Sequence, residues 1–432
     1  MSWTQPSTLI LASNLRRTAF ALAMLCALAM IATPSAKAQT FTVIHSFSGG
    51  DGYRPYAGIT LDAAGNVYGT TLLSVTGEGT AFKLKRSHGA WVLNPLLTFS
   101  GDAGANPASG LVFGPDGALY GTTEGGGSMA NGLVYSLMPP ATACKIALCF
   151  WRETVLYNFA GGSDGSSPGF GNVIFDHSGN IYGTTNAGGA AGLGTVYELT
   201  PSNGGWAEKV LYSFSGGNDG SQPYSGVILD QADNLYGTTV GGGGSGCGGS
   251  GCGTVYELSP VGSGWTENII YSFQDGANGE YPYGGLIFDQ SGNLYGSTFY
   301  GGSAGGGTVF EFSPIGGSWT FSLIYALTAG TYGGGGPAGS LAMDGAGNLY
   351  GTTDQNGAYG AGSVFKLTPQ NGGWTYTTLH DFAGNGPDGE FPIGGPTVDT
   401  RDNLYGTASQ AGLQELNCGF EQGCGVVWEI TP

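Results

Sequence analysis

One tripeptide, Tyr-Gly-Thr, returns along the whole chain at nearly regular intervals. It begins at Tyr68, Tyr120, Tyr182, Tyr236, Tyr350 and Tyr405, and at Tyr295 in the variant Tyr-Gly-Ser. The successive intervals are 52, 62, 54, 59, 55 and 55 residues. A repeat of this length indicates that each unit is one supersecondary structure packed against its neighbours. Seven such units occupy the chain from Phe41 to Pro432, so we predict a single domain over residues 39–432.

Each unit divides into four short strands. In the fifth unit an apolar strand at 285–289 (GLIFD) leads through a turn at 289–293 (DQSGN) into a second strand at 294–297 (LYGS). The turn is predicted because Gly adopts positive φ and the side chains of Asp and Asn bond to the nearby backbone. A third strand alternates as in 194–199 (GTVYEL), and a Pro-x-x-Gly-Gly-Trp turn ending at Trp206 or Trp374 leads to a fourth. Four strands per unit, repeated seven times, predict an all-β fold, a seven-bladed β-propeller.

The two ends of the chain complement one another. Residues 43–47 (VIHSF) match a fourth strand, and residues 425–430 (GVVWEI) match a third strand. The last unit therefore lacks its fourth strand, which the start of the mature chain can supply. Pairing of these strands within one blade would close the ring and remove its sheet edges.

The composition agrees with a fold made of many turns. The 432 residues include 85 Gly and 20 Pro, yet 12% are aromatic and 41% are hydrophobic. This apolar content exceeds what a disordered chain carries, and the glycines have no three-residue period, which excludes collagen. We expect glycine at hairpin turns, in loops and where neighbouring sheets approach closely.

The N-terminus has the pattern of an export signal. Arg16 and Arg17 precede an apolar stretch at 18–33, and Ala36-Lys37-Ala38 forms an A-x-A cleavage site, so we predict a signal peptide over residues 1–38. The mature chain would then be secreted, periplasmic or displayed at the cell surface, with no membrane insertion. It would carry 9 basic and 30 acidic residues, a net charge of −21. Such a charge argues against nucleic acid and anionic membranes as partners, and we expect a monomer.

The cysteines support an exported protein. Beyond Cys26 in the signal, they form three close pairs: Cys144 with Cys149, Cys247 with Cys252, and Cys418 with Cys424. An even number of cysteines grouped in twos predicts three local disulfides. Zinc binding is the alternative, but no His lies near any pair in the sequence and the usual four-ligand spacing is missing.

The repeat itself resembles a known family. Residues 180–200 (NIYGTTNAGGAAGLGTVYELT) and 348–369 (NLYGTTDQNGAYGAGSVFKLTP) are similar to the GloVer tandem repeat of exported bacterial proteins. The resemblance extends over residues 41–432, and it implies little about activity because the family has no settled biochemical function. Many members carry a C-terminal sorting anchor, which we do not expect here because the chain stops at Pro432 directly after a strand. The Asp-x-x-Gly-Asn hairpin is more weakly similar to hairpins of NHL-type propellers.

Strand direction sorts the loops into two groups. The fourth-to-first and second-to-third loops are predicted to share one face, where they are long and variable and therefore the expected place for function. Residues that differ between units are better indicators of a site than repeated ones. We predict ligand binding by Tyr53, Arg54, Glu280, Tyr281, Phe299, Tyr300, Glu390 and Phe391, and note Tyr359, Glu78 and Glu124 in the same loops. Aromatic side chains beside carboxylates suit a carbohydrate or a protein ligand.

Two repeated features have a structural and a functional interpretation. An Asp-Gly-x-x-Pro segment recurs with its carboxylate at Asp51, Asp164, Asp219 and Asp388. A turn motif in which Asp bonds to its own backbone explains this segment. A calcium site at these carboxylates is the alternative, and we expect no other cofactor. The repeated tyrosines could stack on sugars, but their presence in every unit favours packing between blades.

Catalytic patterns are weak. The histidines His45, His88, His177 and His380 fall in different parts of the repeat, so no Ser-His-Asp triad or His-based metal site is predicted. The first hypothesis is an exported, non-enzymatic protein that binds an extracellular ligand through its loop-rich face. A secreted hydrolase or lyase that acts on polysaccharide through paired carboxylates is the second, and a structural or adhesive surface protein is the third.

Overall fold

The repeated strands form seven antiparallel sheets of four strands each in the computed structural model. The structure describes residues 39–140, 150–330, 335–384, 386–413, 418 and 423–432. The predicted signal peptide lies outside these residues, and so do Cys144 and Cys149. The seven sheets are the blades of a seven-bladed β-propeller, as predicted.

Strands are named in chain order, and each blade contributes one strand to each of four positions. The innermost strands, with two residues each, are β2 (Thr60–Leu61), β6 (Val112–Phe113), β10 (Ile174–Phe175), β14 (Ile228–Leu229), β18 (Ile287–Phe288), β22 (Ala342–Met343) and β26 (Thr397–Val398). The second strands are β3 (Val67–Thr71), β7 (Leu119–Thr123), β11 (Ile181–Thr185), β15 (Leu235–Thr239), β19 (Leu294–Thr298), β23 (Leu349–Thr353) and β27 (Leu404–Ala408).

The two outer positions hold longer strands. The third strands are β4 (Thr80–Ser87), β8 (Leu133–Met138), β12 (Thr195–Ser202), β16 (Thr254–Val261), β20 (Gly305–Ile315), β24 (Ser363–Gln370) and β28 (Val426–Thr431). The outermost strands are β5 (Ala90–Thr98), β9 (Arg152–Asn158), β13 (Gly205–Ser213), β17 (Gly264–Ser272), β21 (Ser318–Thr328), β25 (Gly373–Asp381) and β1 (Thr40–Ser46). Short 3₁₀ turns lie at Gly101–Ala103, Gly162–Asp164 and Cys247–Gly249. Blades 1 to 6 follow one another from β2 to β25, and blade 7 contains β26, β27, β28 and β1.

The ring closes as the sequence predicted. In blade 7 the strand order is β1-β28-β27-β26, so the first described strand completes the last blade. The N–H of Phe47 donates to the carbonyl of Gly425 at 3.0 Å just beyond this pairing. At the adjacent boundary, the guanidinium of Arg86 in blade 1 contacts both carboxylate oxygens of Glu429 in blade 7, at 2.7 and 3.0 Å.

The turn between the third and fourth strands is shorter than predicted. Pro201 pairs with Trp206 and Ser202 with Gly205, so both strands run through the predicted Pro-x-x-Gly-Gly-Trp turn and leave a two-residue loop. The difference arises because a two-residue hairpin matches the natural twist of paired strands and lets the ladder continue to its tip.

The hydrophobic core lies between the blades. Seven clusters of buried side chains each join two neighbouring blades, and one of them combines Tyr182 and Phe214 of blade 3 with Leu235 and Tyr256 of blade 4. The repeated tyrosines are buried in these clusters; the ring of Tyr182, for example, meets Trp265 of the next blade at 6.4 Å. Their packing role is thereby confirmed.

The glycine of the tripeptide has a different role from the predicted one. It was expected to allow neighbouring sheets to approach, but it makes room for an aromatic ring on the third strand of its own blade. A Cβ atom added to Gly69 would lie 2.7 Å from Cζ of Phe82, its partner across the sheet. The aromatic side chain covers the glycine because this position of the sheet would otherwise hold no side chain to pack.

Candidate functional site

The long loops gather on one face of the ring. In each of six blades, a residue of the loop before the first strand forms an isolated bridge with a residue of the loop after the second strand, as Glu280 does with Tyr300 and Glu390 with Gln410. We call this surface the loop-rich face. It consists of the fourth-to-first and second-to-third loops, as the strand directions predicted.

A left-handed residue before each loop proline links neighbouring blades. This residue has a φ between 55° and 57° in six blades, at Arg54, Asn106, Ser167, Gln222, Tyr281 and Phe391. Tyr281 donates its N–H to the carbonyl of Cys252 in blade 4, and its carbonyl accepts the N–H of Phe299 in blade 5. Such a conformation is strained for a large side chain, and the two hydrogen bonds offset the strain.

The inner strands surround an axial channel with a volume of about 370 Å³. All seven blades line it, mainly with glycine and aliphatic residues. Four aromatic side chains also line it, and they come from blades 1, 3, 4 and 5: Tyr56, Phe170, Tyr224 and Tyr283. The corresponding positions in blades 2, 6 and 7 hold Ala108, Ala338 and Ile393. Because these residues end the fourth-to-first loops, the aromatic end of the channel opens on the loop-rich face.

A continuous series of aromatic contacts leads from this channel mouth to the loops of blade 5. Phe170 stacks on Tyr224 with ring centroids 4.0 Å apart, and Tyr224 meets Tyr283 edge to face at 5.1 Å. Tyr283 contacts Phe299 at 5.3 Å, and Phe299 contacts Tyr300 at 4.7 Å. Tyr300 in turn meets Tyr281 at 6.1 Å. We call these residues the aromatic arc: Phe170, Tyr224, Tyr283, Phe299, Tyr300 and Tyr281.

The structure brings half of the predicted binding residues together. Tyr281, Phe299 and Tyr300 belong to the aromatic arc, and Tyr300 is 39% exposed. Glu280 lies beside them, where its carboxylate accepts the N–H of Gly276 at 2.9 Å and thereby holds the loop.

The other predicted residues lie elsewhere on the loop-rich face. Tyr53 and Arg54 belong to the loop of blade 1, where Tyr53 packs against the hydrophobic cluster that contains Cys418 and Cys424. Phe391 and Glu390 belong to blade 7. Glu390 is only 5% exposed, in contrast to the exposed position expected for it, and burial raises the pKa of its carboxyl to about 7.

Sequence reasoning missed the aromatic residues of the channel mouth. Tyr56, Tyr224 and Tyr283 directly follow the loop proline, while Phe170 comes from a unit with one additional residue at this point. The signal was present, because the residue after the proline differs between units in an otherwise regular repeat. This variation did not indicate a site from the sequence alone, because only the closed ring places these positions around one axis.

Two carboxyl groups stand at equivalent positions next to the channel mouth. Glu124 follows β7, and its side chain lies against the loop of blade 3, since a Cβ atom added to Gly169 would be 2.7 Å from the Cβ of Glu124. Burial raises the pKa of Glu124, and its charge raises the pKa of the Tyr224 hydroxyl in addition to the effect of burial there. Asp354 follows β23 in blade 6, and burial raises its pKa to about 6.

The repeated aspartates serve as local caps. Asp51 accepts the backbone N–H and hydroxyl of Ser48 and contacts Nε2 of His45 at 2.9 Å. The other three accept hydrogen bonds from equivalent positions of their own loops, with Asp164 bound by Tyr157 and Ala160, Asp219 by Tyr212 and Ser215, and Asp388 by His380 and Ala383. This arrangement agrees with the turn interpretation.

Two of the three predicted disulfides are formed in the described part of the chain. Cys247 is bonded to Cys252 and Cys418 to Cys424, both in second-to-third loops. The predicted bond between Cys144 and Cys149 is not among them, because Cys144 and Cys149 both lie outside the residues that the structure describes. That third disulfide stays a prediction from the sequence.

A metal site at the cysteines receives no support. Across the described ranges, Cys247, Cys252 and Asp275 make up the one group of three metal-binding residue types within 4.8 Å, and its two sulfur atoms belong to the disulfide. The carboxylate of Asp275 accepts the N–H of Cys247. None of the helices in the described part of the chain is long and apolar enough to span a bilayer.

Seven four-stranded blades, with disulfide-bonded loops on one face, place the protein among the β-propellers. The chain belongs to the Gloeobacter/Verrucomicrobia repeat family, whose model matches residues 30–154, 142–250 and 246–432. This confirms the resemblance to the GloVer repeat. No curated protein matches the chain at a significant level.

The chain is also similar to solved structures at low sequence identity. A candidate 6-phosphogluconolactonase from Bacteroides uniformis is 15% identical with a TM-score of 0.48, and the match covers 83% of this chain and 96% of that one. An ulvan lyase bound to an ulvan fragment is 12% identical with a TM-score of 0.48, over 79% of this chain and 86% of that one. A candidate glucose dehydrogenase from Thermus thermophilus is 13% identical with a TM-score of 0.41, over 91% and 99% of the two chains.

Proposed function

We propose that this protein is an exported, non-enzymatic propeller that binds an extracellular carbohydrate or protein through its loop-rich face. The observation that carries the proposal is the aromatic arc, which joins an axial channel of about 370 Å³ to the loops of blade 5. A volume of about 370 Å³ lies within the range that is typical of ligand-binding pockets. Aromatic side chains supply contact area with little loss of side-chain entropy on binding.

The distribution of the arc around the ring supports a binding role. Residues that a propeller needs for packing recur in every blade, as the buried tyrosines of the repeat do. The arc instead occupies blades 3 to 5, while small residues such as Ala108 and Ala338 line the same level of the channel in blades 2 and 6. A feature that breaks the symmetry of the repeat is better explained by a ligand than by the fold.

Charge and covalent structure support export. The mature net charge of −21 favours solubility outside the cell, and the disulfides Cys247–Cys252 and Cys418–Cys424 require an oxidising compartment. Local hydrogen bonds already explain the repeated aspartates Asp51, Asp164, Asp219 and Asp388. Calcium binding by these carboxylates is therefore not part of the proposal, although the test includes it.

The test is binding of the mature chain to an array of immobilised glycans and extracellular proteins, with and without a calcium chelator. We expect a ligand whose binding falls at least about tenfold when Tyr53, Tyr281 and Phe391 are all changed to alanine, because these side chains lie on the loop-rich face. A matched control changes Val261 and Ile315 to asparagine, since they are 61% and 63% exposed in hairpins at the opposite face. A ligand lost in the control variant but kept in the triple variant would contradict the proposal.

A polysaccharide hydrolase or lyase is the second candidate, and the carboxyls at the channel mouth favour it. The charge of Glu124 raises the pKa of the Tyr224 hydroxyl, and burial raises the pKa values of both Glu124 and Asp354, which is the direction that favours a general acid. Release of oligosaccharides from a polysaccharide panel, abolished by Glu124→Gln, would establish this candidate. Binding without any turnover would reject it.

A further inference from the structure

We propose that the ligand is a neutral linear glycan whose end enters the axial channel, where the aromatic arc begins, and whose remaining sugar units follow the arc to the loops of blade 5. This inference rests on the proposed function and names its ligand and its site. It commits to the channel mouth rather than to the whole loop-rich face, and to an uncharged sugar rather than to a polyanion or a protein.

The shape of the channel mouth suits a sugar ring. Blades 3 to 5 present Phe170, Tyr224 and Tyr283 side by side, and the small residues Ala108 and Ala338 flank them in blades 2 and 6. A pyranose has an apolar C–H surface, which packs on aromatic rings, and a polar rim of hydroxyls. An aromatic wall flanked by small residues therefore offers a surface on which a flat ring can stack.

Polar groups that fit sugar hydroxyls stand beside the aromatic wall. Asn172 lines the channel, with its Oδ1 accepting the N–H of Gly110 at 2.8 Å. The charge of Glu124 raises the pKa of the Tyr224 hydroxyl in addition to the effect of burial, and Asp354 occupies the same loop position in blade 6. Carboxyl, amide and phenol groups can each donate to or accept from a hydroxyl, which gives orientation without any need for charge on the ligand.

The extent of the arc suits an elongated ligand. Its members are in successive contact, with centroid separations between 4.0 and 6.1 Å, from Phe170 at the channel to Tyr281 and Tyr300 at the loops of blade 5. A compact ligand would use the channel mouth alone. A chain of sugar rings can occupy the mouth and continue along the arc, so that several weak contacts add up within one molecule.

Charge selects against polyanions. The lining of the channel contains no Lys, Arg or His among the residues that the structure describes, and two carboxyls flank its mouth. In the described loops of this face, the single basic side chain is Arg54, which lies outside the lining. An anionic polysaccharide would meet like charge here, whereas a neutral one would not.

The experiment is calorimetric titration of the mature chain with neutral hexasaccharides (cello-, xylo-, manno- and maltohexaose) and with anionic hexagalacturonate. We expect a neutral hexasaccharide to bind, and Tyr224→Ala and Tyr283→Ala each to weaken it at least about tenfold. Ala338→Trp should also abolish binding, because the larger side chain fills the channel from blade 6. Val261→Asn, which changes a side chain that is 61% exposed at the opposite face, should bind within about twofold of the parent protein.

Each outcome decides the inference. Preference for hexagalacturonate, loss of binding in Val261→Asn, or unchanged affinity in both Tyr283→Ala and Ala338→Trp would overturn it, as would the failure of every hexasaccharide to bind. Because Tyr283→Phe keeps the ring, it should retain binding and so separates lost stacking from misfolding. Failure of this inference can be distinguished from failure of the proposed function. If a ligand is lost in the Tyr53, Tyr281 and Phe391 triple variant but still binds Ala338→Trp, the loop-rich face is the binding surface and the channel takes no part in binding.

Discussion

Each residue of the Tyr-Gly-Thr tripeptide makes a different contact, which explains why the three recur together. In blade 4 the hydroxyl of Tyr236 donates to Asp230 in the preceding hairpin at 3.1 Å, and its ring meets Phe288 of the next blade at 5.3 Å. The glycine leaves room for the third-strand ring. The hydroxyl of Thr238 donates to the carbonyl of Gly284 in the next blade at 3.2 Å. The tripeptide therefore connects hairpin, sheet and neighbouring blade at one point.

The glycine provides the sharpest test at this scale. We expect Gly69→Ala to destabilise the protein by about 1–3 kcal/mol, because the added methyl group would overlap the ring of Phe82. Thermal unfolding midpoints measure the effect. Gly373→Ala is the matched control in a strand, since a Cβ atom there meets no atom within 4 Å, and its midpoint should stay close to that of the parent. Equal midpoints for the two variants would contradict the assigned role.

At the scale of strands, blades 2 to 4 differ from the others in a paired way. Their third strands carry the buried tyrosines Tyr135, Tyr197 and Tyr256, and their fourth strands carry Glu153, Glu208 and Glu267. The equivalent third-strand residues elsewhere are Phe82, Phe310, Phe365 and Trp428. Burial raises the pKa of each tyrosine hydroxyl, and the charge of the glutamate in the same blade raises it further. The third and fourth strands of a blade can thus hold either apolar side chains or a tyrosine and a glutamate at these positions.

These carboxyls predict how stability depends on pH. Burial raises the pKa of Glu153, Glu208 and Glu267 to about 7 each, above the value in the unfolded chain. A raised pKa means that the folded state binds more protons, so their contribution is present at acidic pH and is lost as the pH rises through about 7. We expect the thermal midpoint to fall between about pH 5 and about pH 8, and the triple Glu→Gln variant to show a flatter profile.

The control for the pH profile is Asp102→Asn, which removes an exposed carboxylate and should keep the slope of the parent protein. A triple glutamine variant with the same slope as the parent would show that these three groups do not titrate as their burial indicates.

At the scale of the whole molecule, ring closure depends on contacts between residues far apart in the chain. The strand β1 completes blade 7, and across the next boundary Arg86 binds Glu429, whose side chain is 5% exposed. The hydroxyl of Thr407 donates to the carbonyl of Ala57 at 2.9 Å, which repeats at the closure the threonine contact of the other blades. The boundary between blades 7 and 1 therefore has the same threonine contact as other boundaries and, in addition, an ion pair.

The ion pair at the closure is testable by deletion. We expect Arg86→Ala to lower stability by about 1–3 kcal/mol, because it removes two hydrogen bonds from a buried carboxylate. The matched control is Arg401→Ala, which breaks an ion pair with Asp399 in which the arginine is 69% exposed, and its unfolding midpoint should not change measurably. Equal effects of the two changes would show that Arg86 contributes no more than a surface charge does.

Much of the fold was predictable from local patterns. Blade number, strand order and the closure by β1 all follow from periods and turn residues that lie within one unit, such as the Asp289-to-Asn293 hairpin. The site was predictable only in part. Tyr281, Phe299 and Tyr300 stood out as residues that differ from their repeat equivalents, whereas Tyr224 and Phe170 did not, because their meaning depends on neighbours more than 50 residues apart in the chain.

The sequence by itself determined the seven-bladed propeller, because hairpin turns, strand alternation and repeat length are local properties that are present in every unit. Only the tertiary structure decided which of the varied loop residues meet. Closing seven sheets around one axis brings the residues after the loop prolines to a common channel mouth, and it buries Glu390 while it leaves Tyr300 partly exposed. Those distances depend on the packing between blades, and no single unit of the repeat encodes them.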